Sequence, residues 1–233
     1  MVRLLLAGGA EFGGQMAISD REAVALAGGE NAPVVIIPTA AAPDNNHARA
    51  GQNGKRWFES LGVRDVQVAP VIDQSSAASP AIAAQIRTAR LIYFLGGFTH
   101  YLAQTMLGSL AWEAALEAHQ AGAVIAGSSA GAMVLAQHYF DPGMGRVYAG
   151  LGLVPKTCVL PHHNTFGKSW VNRLLELLPQ DILLGLDERT GILAGDVPGQ
   201  WRVLGQGAAT LYYQGKPATY QAGAYFQFTH ANV

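Results

Sequence analysis

Short apolar stretches recur along the first half of the chain, and each is followed by a Gly or Pro break and a longer alanine-rich segment with helical spacing. The apolar stretches do not alternate with polar residues, which is typical of parallel strands buried on both faces. The predicted strands are residues 2–7, 34–38, 65–69, 91–95 and 123–127, and the predicted helices are residues 15–27, 47–61, 80–88, 101–107 and 110–121. This alternation predicts βαβ units in an α/β fold, with a doubly wound, mostly parallel sheet flanked by helices.

The second half of the chain has a different pattern. Beyond residue 136, short strand-like stretches and turns prevail, with one further helix predicted near residues 168–178. From Trp201 onward, glycines break the apolar stretches, which predicts a C-terminal antiparallel extension. Since the chain shows no repeat and no long linker, we expect a single domain over residues 1–233.

Composition and charge narrow the classes of function. Half of the 233 residues are hydrophobic, and 15 Lys+Arg against 16 Asp+Glu give a net charge of -1 without a basic run, so no nucleic acid partner is expected. The first apolar stretch is only as long as a strand, so neither a secretory signal nor a membrane span is expected. The single cysteine, Cys158, cannot form an internal disulfide, and no Cys/His cluster has zinc-site spacing. We therefore expect a cytoplasmic protein without a metal.

The breaks that follow the predicted strands point to one place in the fold. In a doubly wound sheet, ligands bind beyond the carboxyl ends of the parallel strands. The breaks at those ends are residues 8–11, 39–44, 96–99 and 128–131. We expect these four loops to meet at one rim of the sheet.

One of these breaks, Gly127-Ser128-Ser129-Ala130-Gly131, joins an apolar strand to an apolar helix. This is the layout of a nucleophile elbow, in which a strained turn exposes a serine hydroxyl and small neighbours let strand and helix approach closely. The helix N-terminus also favours developing negative charge. Ser129 is the predicted nucleophile, and Ser128 is expected to cap the helix or line the pocket. A glycine-rich turn with a capping serine is the alternative without chemistry.

A serine nucleophile needs a base, which a third group orients. His162 and His163 follow an apolar stretch that ends in proline, where a strand is expected to reach the rim. Asp187 and Glu188 follow another apolar stretch, and Asp141 is an alternative acid. From the residues alone, the choice between the two histidines and among the three acids stays open.

Several motifs occur together in a fixed order. They are Gly8-Gly9-Ala10-Glu11, Ile37-Pro38-Thr39-Ala40, Gly96-Gly97, Gly127-Ser128-Ser129-Ala130-Gly131-Ala132, Pro161-His162 and Gly185-Leu186-Asp187-Glu188. This set resembles the serine peptidases related to dipeptidase E (aspartyl dipeptidase) and cyanophycinase, from the first strand to about residue 191. The resemblance implies a sheet like that of class I glutamine amidotransferases.

The resemblance also implies roles for individual residues. Ser129 corresponds to the nucleophile, His162 to the general base and Glu188 to the carboxylate that holds the tautomer of the base. The N–H groups of Gly97 and Ala130 correspond to the oxyanion hole. No metal or organic cofactor is implied.

The residues expected near the substrate differ from those of cyanophycinase-like proteins. Phe98-Thr99 and Leu160-Pro161 stand where those proteins carry an acid and an amide. Apolar residues cannot neutralise the arginine of a β-aspartyl-arginine substrate. We therefore expect better cleavage of short peptides with an uncharged or apolar residue at the scissile bond. Candidate anchors for a substrate carboxylate are Arg189, Lys168 and Arg146.

Three classes of function follow from the sequence. The leading one is a dipeptidase or exopeptidase that acts on short peptides through an acyl-enzyme, with a cyanophycinase-type β-aspartyl peptidase as its variant. The second is another serine hydrolase, such as an esterase or an amidotransferase-like deacylase. The third is a binding module without chemistry, which the presence of all three triad residue types disfavours. A homodimer is left open as the assembly.

Overall fold

The computed structural model of the protein describes residues 3–195 and 197–227. Val2 of the first predicted strand, and the part of the predicted antiparallel tail after residue 227, lie outside these residues. The strands are β1 Leu4–Ala7, β2 Val34–Ile37, β3 Val66–Val68, β4 Leu91–Phe94, β5 Val124–Ser128, β6 Ala136–Asp141, β7 Arg146–Ala149, β8 Val154–Leu160, β9 Ile182–Leu186, β10 Thr190–Ala194, β11 Gln200–Gly205, β12 Ala208–Tyr213, β13 Lys216–Gln221 and β14 Tyr225–Gln227.

Eight of the described strands form the first sheet, in the order β14-β11-β10-β1-β5-β4-β2-β3. The strands β1, β5, β4, β2 and β3 run parallel to one another, whereas β10, β11 and β14 extend this sheet in antiparallel orientation. The five parallel strands are those predicted from the apolar stretches, and the α/β class is confirmed.

Helices cover both faces of the parallel sheet. They are α1 Ala17–Ala27, α2 His47–Ser60, α3 Gln74–Ala77, α4 Pro80–Arg87, α5 Thr99–Met106, α6 Leu110–Gln120, α7 Ala130–Leu135 and α8 Val171–Leu177. Leu5 of β1 packs in a cluster with residues of α1 and α2, whereas Leu4 and Leu6 pack with residues of α4 to α7. Because both faces are buried, the strands need no polar side, which explains their unbroken apolar sequences.

A second sheet, which the sequence did not predict, contains six of the described strands in the order β13-β12-β9-β8-β6-β7. Its strands come from the region beyond residue 136 and include parallel and antiparallel pairs. The predicted C-terminal extension is therefore divided, because β11 and β14 join the first sheet while β12 and β13 join the second. Tyr139, Val159 and Leu184 of the second sheet pack in the same core cluster as α4 to α7.

The helices differ from the predictions in two places. The short helix α3 was not predicted, and it begins at a capping box in which Asp73 and Ser76 bind each other's backbone N–H groups. The predicted helix at 168–178 consists of a 3₁₀ turn, Gly167–Trp170, followed by α8. In the described ranges, no helix has the length and apolar character needed to cross a membrane.

Candidate active site

The four loops at the carboxyl ends of the parallel strands meet, as predicted. The Gly96 N–H donates to Glu11 Oε1 at 3.1 Å, and the Ser128 hydroxyl donates to Glu11 Oε2 at 2.6 Å. The Phe98 N–H donates to the carbonyl of Ala40 at 2.8 Å. These bonds join the loops after β1, β2, β4 and β5 into one rim.

Ser129 lies at this rim, in the turn between β5 and α7. Its backbone has φ 50° and ψ -113°, a conformation that is strained for a residue with a side chain. Its N–H donates to the carbonyl of Ala7 at 2.9 Å. A methyl group on Gly131 would lie 2.3 Å from the carbonyl oxygen of Phe94, and one on Gly127 would lie 2.5 Å from the Gly131 backbone. Glycine is therefore required on both sides of the turn.

The structure brings Ser129, His162 and Glu188 into one hydrogen-bonded line. Ser129 Oγ lies 2.9 Å from His162 Nε2, and His162 Nδ1 lies 2.8 Å from Glu188 Oε1. A carboxylate at Nδ1 requires the proton on that nitrogen, so Nε2 presents its lone pair to the serine hydroxyl. The backbone N–H of His162 donates to the carbonyl of Gly8 at 2.7 Å. A methyl group built on Gly9 would lie 2.3 Å from the His162 ring, so Gly9 packs directly against the imidazole. The loop after β1 therefore helps to hold the His162 ring in its position beside Ser129.

His163 belongs to a second network that does not include Ser129. Its Nδ1 lies 3.3 Å from Asp187 Oδ1 and its Nε2 lies 2.9 Å from the Tyr212 hydroxyl. Asp187 Oδ2 accepts the Ala208 N–H at 3.0 Å. Burial lowers the pKa of His163, and the nearby charge of Lys168 adds to this effect, while the bond to Asp187 opposes it. The network anchors the loop that carries His162 to β9 and β12.

Two alternatives from the sequence lie outside this line. Ser128 is fully buried and its hydroxyl is bound to Glu11. Asp141 Oδ1 accepts the N–H groups of Gly143 and Met144, at 2.9 and 3.2 Å, so this carboxylate caps the turn after β6.

The N–H groups of Gly97 and Ala130 point to no protein acceptor within the described residues. Ala130 begins α7, directly after Ser129, and Gly97 has φ 137°. A methyl group on Gly97 would lie 2.3 Å from the Ala40 carbonyl oxygen, so this position tolerates only glycine. Both groups lie on residues beside the Ser129 turn.

Two further residues at the site were not assigned a role from the sequence. Phe166 is 51% exposed, and its ring stacks on His162 with 4.8 Å between the ring centroids. Glu11 belongs to the motif Gly8-Gly9-Ala10-Glu11, which does not reveal that its carboxylate binds two of the other loops. No sequence pattern marks Phe166 as a neighbour of His162, because its side chain is placed by the turn at residues 163–166.

Two cavities flank the half-exposed ring of Phe98. One, of about 360 Å³, has a mixed lining that includes Glu11, Asp44, Asn46 and Asn53 as well as Phe12 and Leu95. The other, of about 510 Å³, has a mainly apolar lining that includes Thr99, His100, Tyr101 and Pro142. Over the described ranges, no group of three or more His, Cys, Asp or Glu side chains could hold a metal ion.

The residues expected to contact the substrate are only partly at the site. Leu160 is fully buried and packs with Cys158 and Leu174, so the expectation that it walls the substrate pocket is wrong. Arg189 follows Glu188 and is exposed. Arg146 lies on β7 and lines a different cavity.

A serine hydroxyl hydrogen-bonded to an imidazole whose other nitrogen meets a carboxylate is the arrangement that a serine-type hydrolase requires. The sequence model of peptidase family S51 matches residues 4–197, and the chain belongs to this family. The family match confirms the resemblance that the sequence motifs indicated.

Individual relatives agree with this assignment. Cyanophycinases from Synechococcus elongatus and from Thermosynechococcus vestitus are each 27% identical over 202 residues, covering 79% of this chain and 60% of the relative. This chain therefore spans about 60% of the length of these relatives.

Solved structures extend the comparison to the fold. A peptidase from an acI-B1 Actinobacterium superposes with a TM-score of 0.88 at 29% identity, covering 98% of this chain and 97% of the other. A protein from Listeria monocytogenes EGD-e that is assigned as a peptidase E superposes with a TM-score of 0.61 at 19% identity, covering 96% and 100%. The second likeness bears on the fold alone.

Proposed function

We propose that the protein hydrolyses short peptides, as a dipeptidase or exopeptidase, through a Ser129-His162-Glu188 triad and an acyl-enzyme. The observation that carries the proposal is the continuous line of hydrogen bonds, 2.9 Å from serine to histidine and 2.8 Å from histidine to glutamate. Membership of peptidase family S51 supports the reaction class.

The proposed reaction begins when His162 Nε2 takes the proton from Ser129 Oγ as this oxygen attacks the scissile carbonyl carbon. The resulting oxyanion accepts hydrogen bonds from the N–H groups of Gly97 and Ala130. His162 then donates the proton to the leaving amine, and water releases the acyl group by the same steps. Glu188 orients the Nδ1–H and stabilises the imidazolium.

The same proposal describes the Ser129 turn as a nucleophile elbow in a sheet of the class I glutamine amidotransferase type. The positive φ of Ser129 and the close strand–helix approach at Gly127 and Gly131 support this description. We take residues 1–233 as a single peptidase domain, because both sheets contribute to one core cluster.

For the substrate, we propose short peptides with an uncharged or apolar residue beside the scissile bond. Phe98, 46% exposed between the two cavities, supports this choice because it offers apolar surface to the substrate. Arg189 or Lys168 would anchor a terminal carboxylate. Cleavage of β-aspartyl-arginine is the competing function, which the cyanophycinase relatives favour.

The test is a substrate panel read by mass spectrometry, with Ser129→Ala as the inactive control. It contains an apolar dipeptide, a tripeptide, an aspartyl dipeptide, β-aspartyl-arginine and a short-chain ester. We expect the apolar dipeptide to give the highest kcat/KM. A preference for either aspartyl compound would contradict the proposed substrate class, and cleavage of the ester alone would contradict the peptidase activity.

A further inference from the structure

The Glu11 carboxylate uses both of its oxygens to hold two different loops. Oε1 accepts the N–H of Gly96 at 3.1 Å, and Oε2 accepts the hydroxyl of Ser128 at 2.6 Å. Gly96 is the second residue after β4, and Ser128 is the last residue of β5. A single side chain from the loop after β1 therefore joins the two segments that lead to Gly97 and to Ser129.

The bond from the Gly96 N–H to Glu11 Oε1 restrains the loop after β4. Of three successive N–H groups, that of Gly96 is bound by Glu11 and that of Phe98 by the Ala40 carbonyl. The N–H of Gly97 lies between them and has no protein acceptor in the described part of the chain. The Gly97 N–H belongs to the Gly96–Gly97 peptide group, and the bonds to Glu11 and Ala40 hold the peptide groups on either side of it. The bond to Glu11 therefore helps fix the position of the backbone segment that carries the Gly97 N–H.

Packing around Gly96 leaves little freedom for these groups. A methyl group on Gly96 would lie 2.9 Å from Glu11 Oε1 and 3.2 Å from Ser129 Cβ. The carboxylate, the loop and the nucleophile thus converge on one point, and a shift of any one of them displaces the others.

Charge argues for a geometric role. A carboxylate near the substrate oxygen opposes the negative charge that develops there, so Glu11 is unsuited to stabilise the oxyanion directly. Its two oxygens instead accept an N–H group and a hydroxyl from the neighbouring loops. We infer that Glu11 is a positioning residue, which holds the Gly97 N–H and the Ser129 turn in register so that the two sides of the oxyanion hole act together. This inference rests on the proposed function.

The test compares Glu11→Ala and Glu11→Gln with the wild-type protein on its best peptide substrate. We expect Glu11→Ala to lower kcat by about 10- to 100-fold, because a displaced oxyanion-hole donor acts mainly on the transition state, with KM changed by less than about threefold. Affinity for a peptide boronate, whose adduct with serine is tetrahedral, should fall by the same factor as kcat/KM. Glu11→Gln should recover part of the loss, since its amide oxygen can still accept the Gly96 N–H.

Matched variants separate a positioning role of Glu11 from a general effect of charge or of stability. Ser128→Ala removes one of the two bonds of Glu11 and should lower kcat by a smaller factor than Glu11→Ala. Glu176→Gln, on the exposed side of α8, controls for a general change of charge. Melting temperatures of all variants are compared first, and Glu11→Gln carries the test if Glu11→Ala does not fold.

The outcomes distinguish three accounts. A raised KM with unchanged kcat would overturn the inference and make Glu11 a substrate-binding group of the cavity of about 360 Å³ that it lines. An unchanged kcat and boronate affinity in both variants would overturn it outright. If the wild-type protein neither cleaves the peptides nor reacts at Ser129 with a fluorophosphonate, the proposed function itself fails, and the inference fails with it.

Discussion

His162 and His163 are adjacent in sequence, yet their rings meet different groups. His162 lies between Ser129 and Glu188, while His163 lies between Asp187 and Tyr212. We predict that His162→Ala lowers kcat/KM by about 10⁴-fold or more, because the base is lost. His163→Asn should have a far smaller effect, since it weakens only the support of the loop. Steady-state kinetics on one peptide decide the matter, and an equal loss in the His163 variant would refute the assignment of the base.

The role of the Glu188 carboxylate can be tested by a substitution that removes its charge. Glu188→Gln keeps the shape of the side chain but favours the wrong tautomer of His162. We expect a loss in kcat of roughly 10²- to 10⁴-fold, less than for Ser129 or His162. Asp141→Asn should stay near wild type, because Asp141 Oδ1 accepts N–H groups of the turn after β6 and the residue lies outside the line of Ser129, His162 and Glu188. If Asp141→Asn abolished activity while Glu188→Gln did not, Asp141 would be the third member.

Asp20 links stability to pH. This fully buried carboxylate accepts the Trp57 indole N–H at 2.8 Å through Oδ2, and Oδ1 has no partner in the described part of the chain. Burial raises the pKa of Asp20 from 3.8 to about 7, with the bond to Trp57 opposing the change and the charge of Glu11 adding to it. The folded protein therefore binds a proton more tightly than the unfolded chain.

The unfolding free energy should accordingly fall as pH rises from about 4 to about 7 and then level off, with a contribution on the order of 4 kcal/mol from Asp20. Asp20→Asn keeps an acceptor for Trp57 without the charge. We predict that its melting temperature matches that of the wild type near pH 4 and exceeds it at pH 8. A difference that does not change with pH would show that Asp20 is not the titrating group.

At the scale of elements, the approach of α7 to β4 and β5 sets the position of the Ser129 turn. Gly131 faces the Phe94 carbonyl oxygen so closely that a methyl group cannot fit, whereas nothing lies within 4 Å of a methyl group built on Gly14. We predict that Gly131→Ala lowers the unfolding free energy by about 1–3 kcal/mol or more and reduces activity, because strand and helix are forced apart. Gly14→Ala should have little effect on either. Urea unfolding and kcat/KM measure both, and equal stability of the two variants would contradict this account of the turn.

The elements show which parts of the fold a sequence can predict. The five parallel strands are apolar on both faces and were found within a few residues of their bounds. The second sheet was missed because its edge strands, β13 and β7, have no buried residue and lack the continuous apolar sequence of most of the parallel strands. The four-residue helix α3 is stabilised by the bonds between Asp73 and Ser76, too short a pattern to predict a helix.

The residue types of the candidate site could be predicted from the sequence, but the directions in which their side chains point could not. The pairs His162-His163 and Asp187-Glu188 offer the same chemistry twice, so the residues alone left the choice open. His162 has φ 50°, and this local conformation, which pattern does not encode, accompanies the different directions of the two rings. Glu11 could not be assigned because its partners lie 85 and 117 residues away.

At the scale of the whole molecule, the candidate triad lies where the two sheets meet. Ser129 follows β5 of the first sheet, His162 follows β8 of the second, and Glu188 lies between β9 of the second and β10 of the first. The 2.9 and 2.8 Å bonds therefore depend on how the sheets pack together as well as on each loop. This arrangement explains why a second sheet with weak sequence signals matters to the chemistry.

The most direct test of the central claim is to react the protein with a small fluorophosphonate and locate the adduct by peptide mass mapping. An activated serine reacts, whereas an ordinary serine hydroxyl does not. We predict an adduct on Ser129, its loss in Ser129→Ala together with a fall in peptide hydrolysis of about 10⁴-fold or more, and much slower labelling in His162→Ala. An adduct on Ser128 or elsewhere, or normal hydrolysis by Ser129→Ala, would contradict the assignment of Ser129 as the nucleophile.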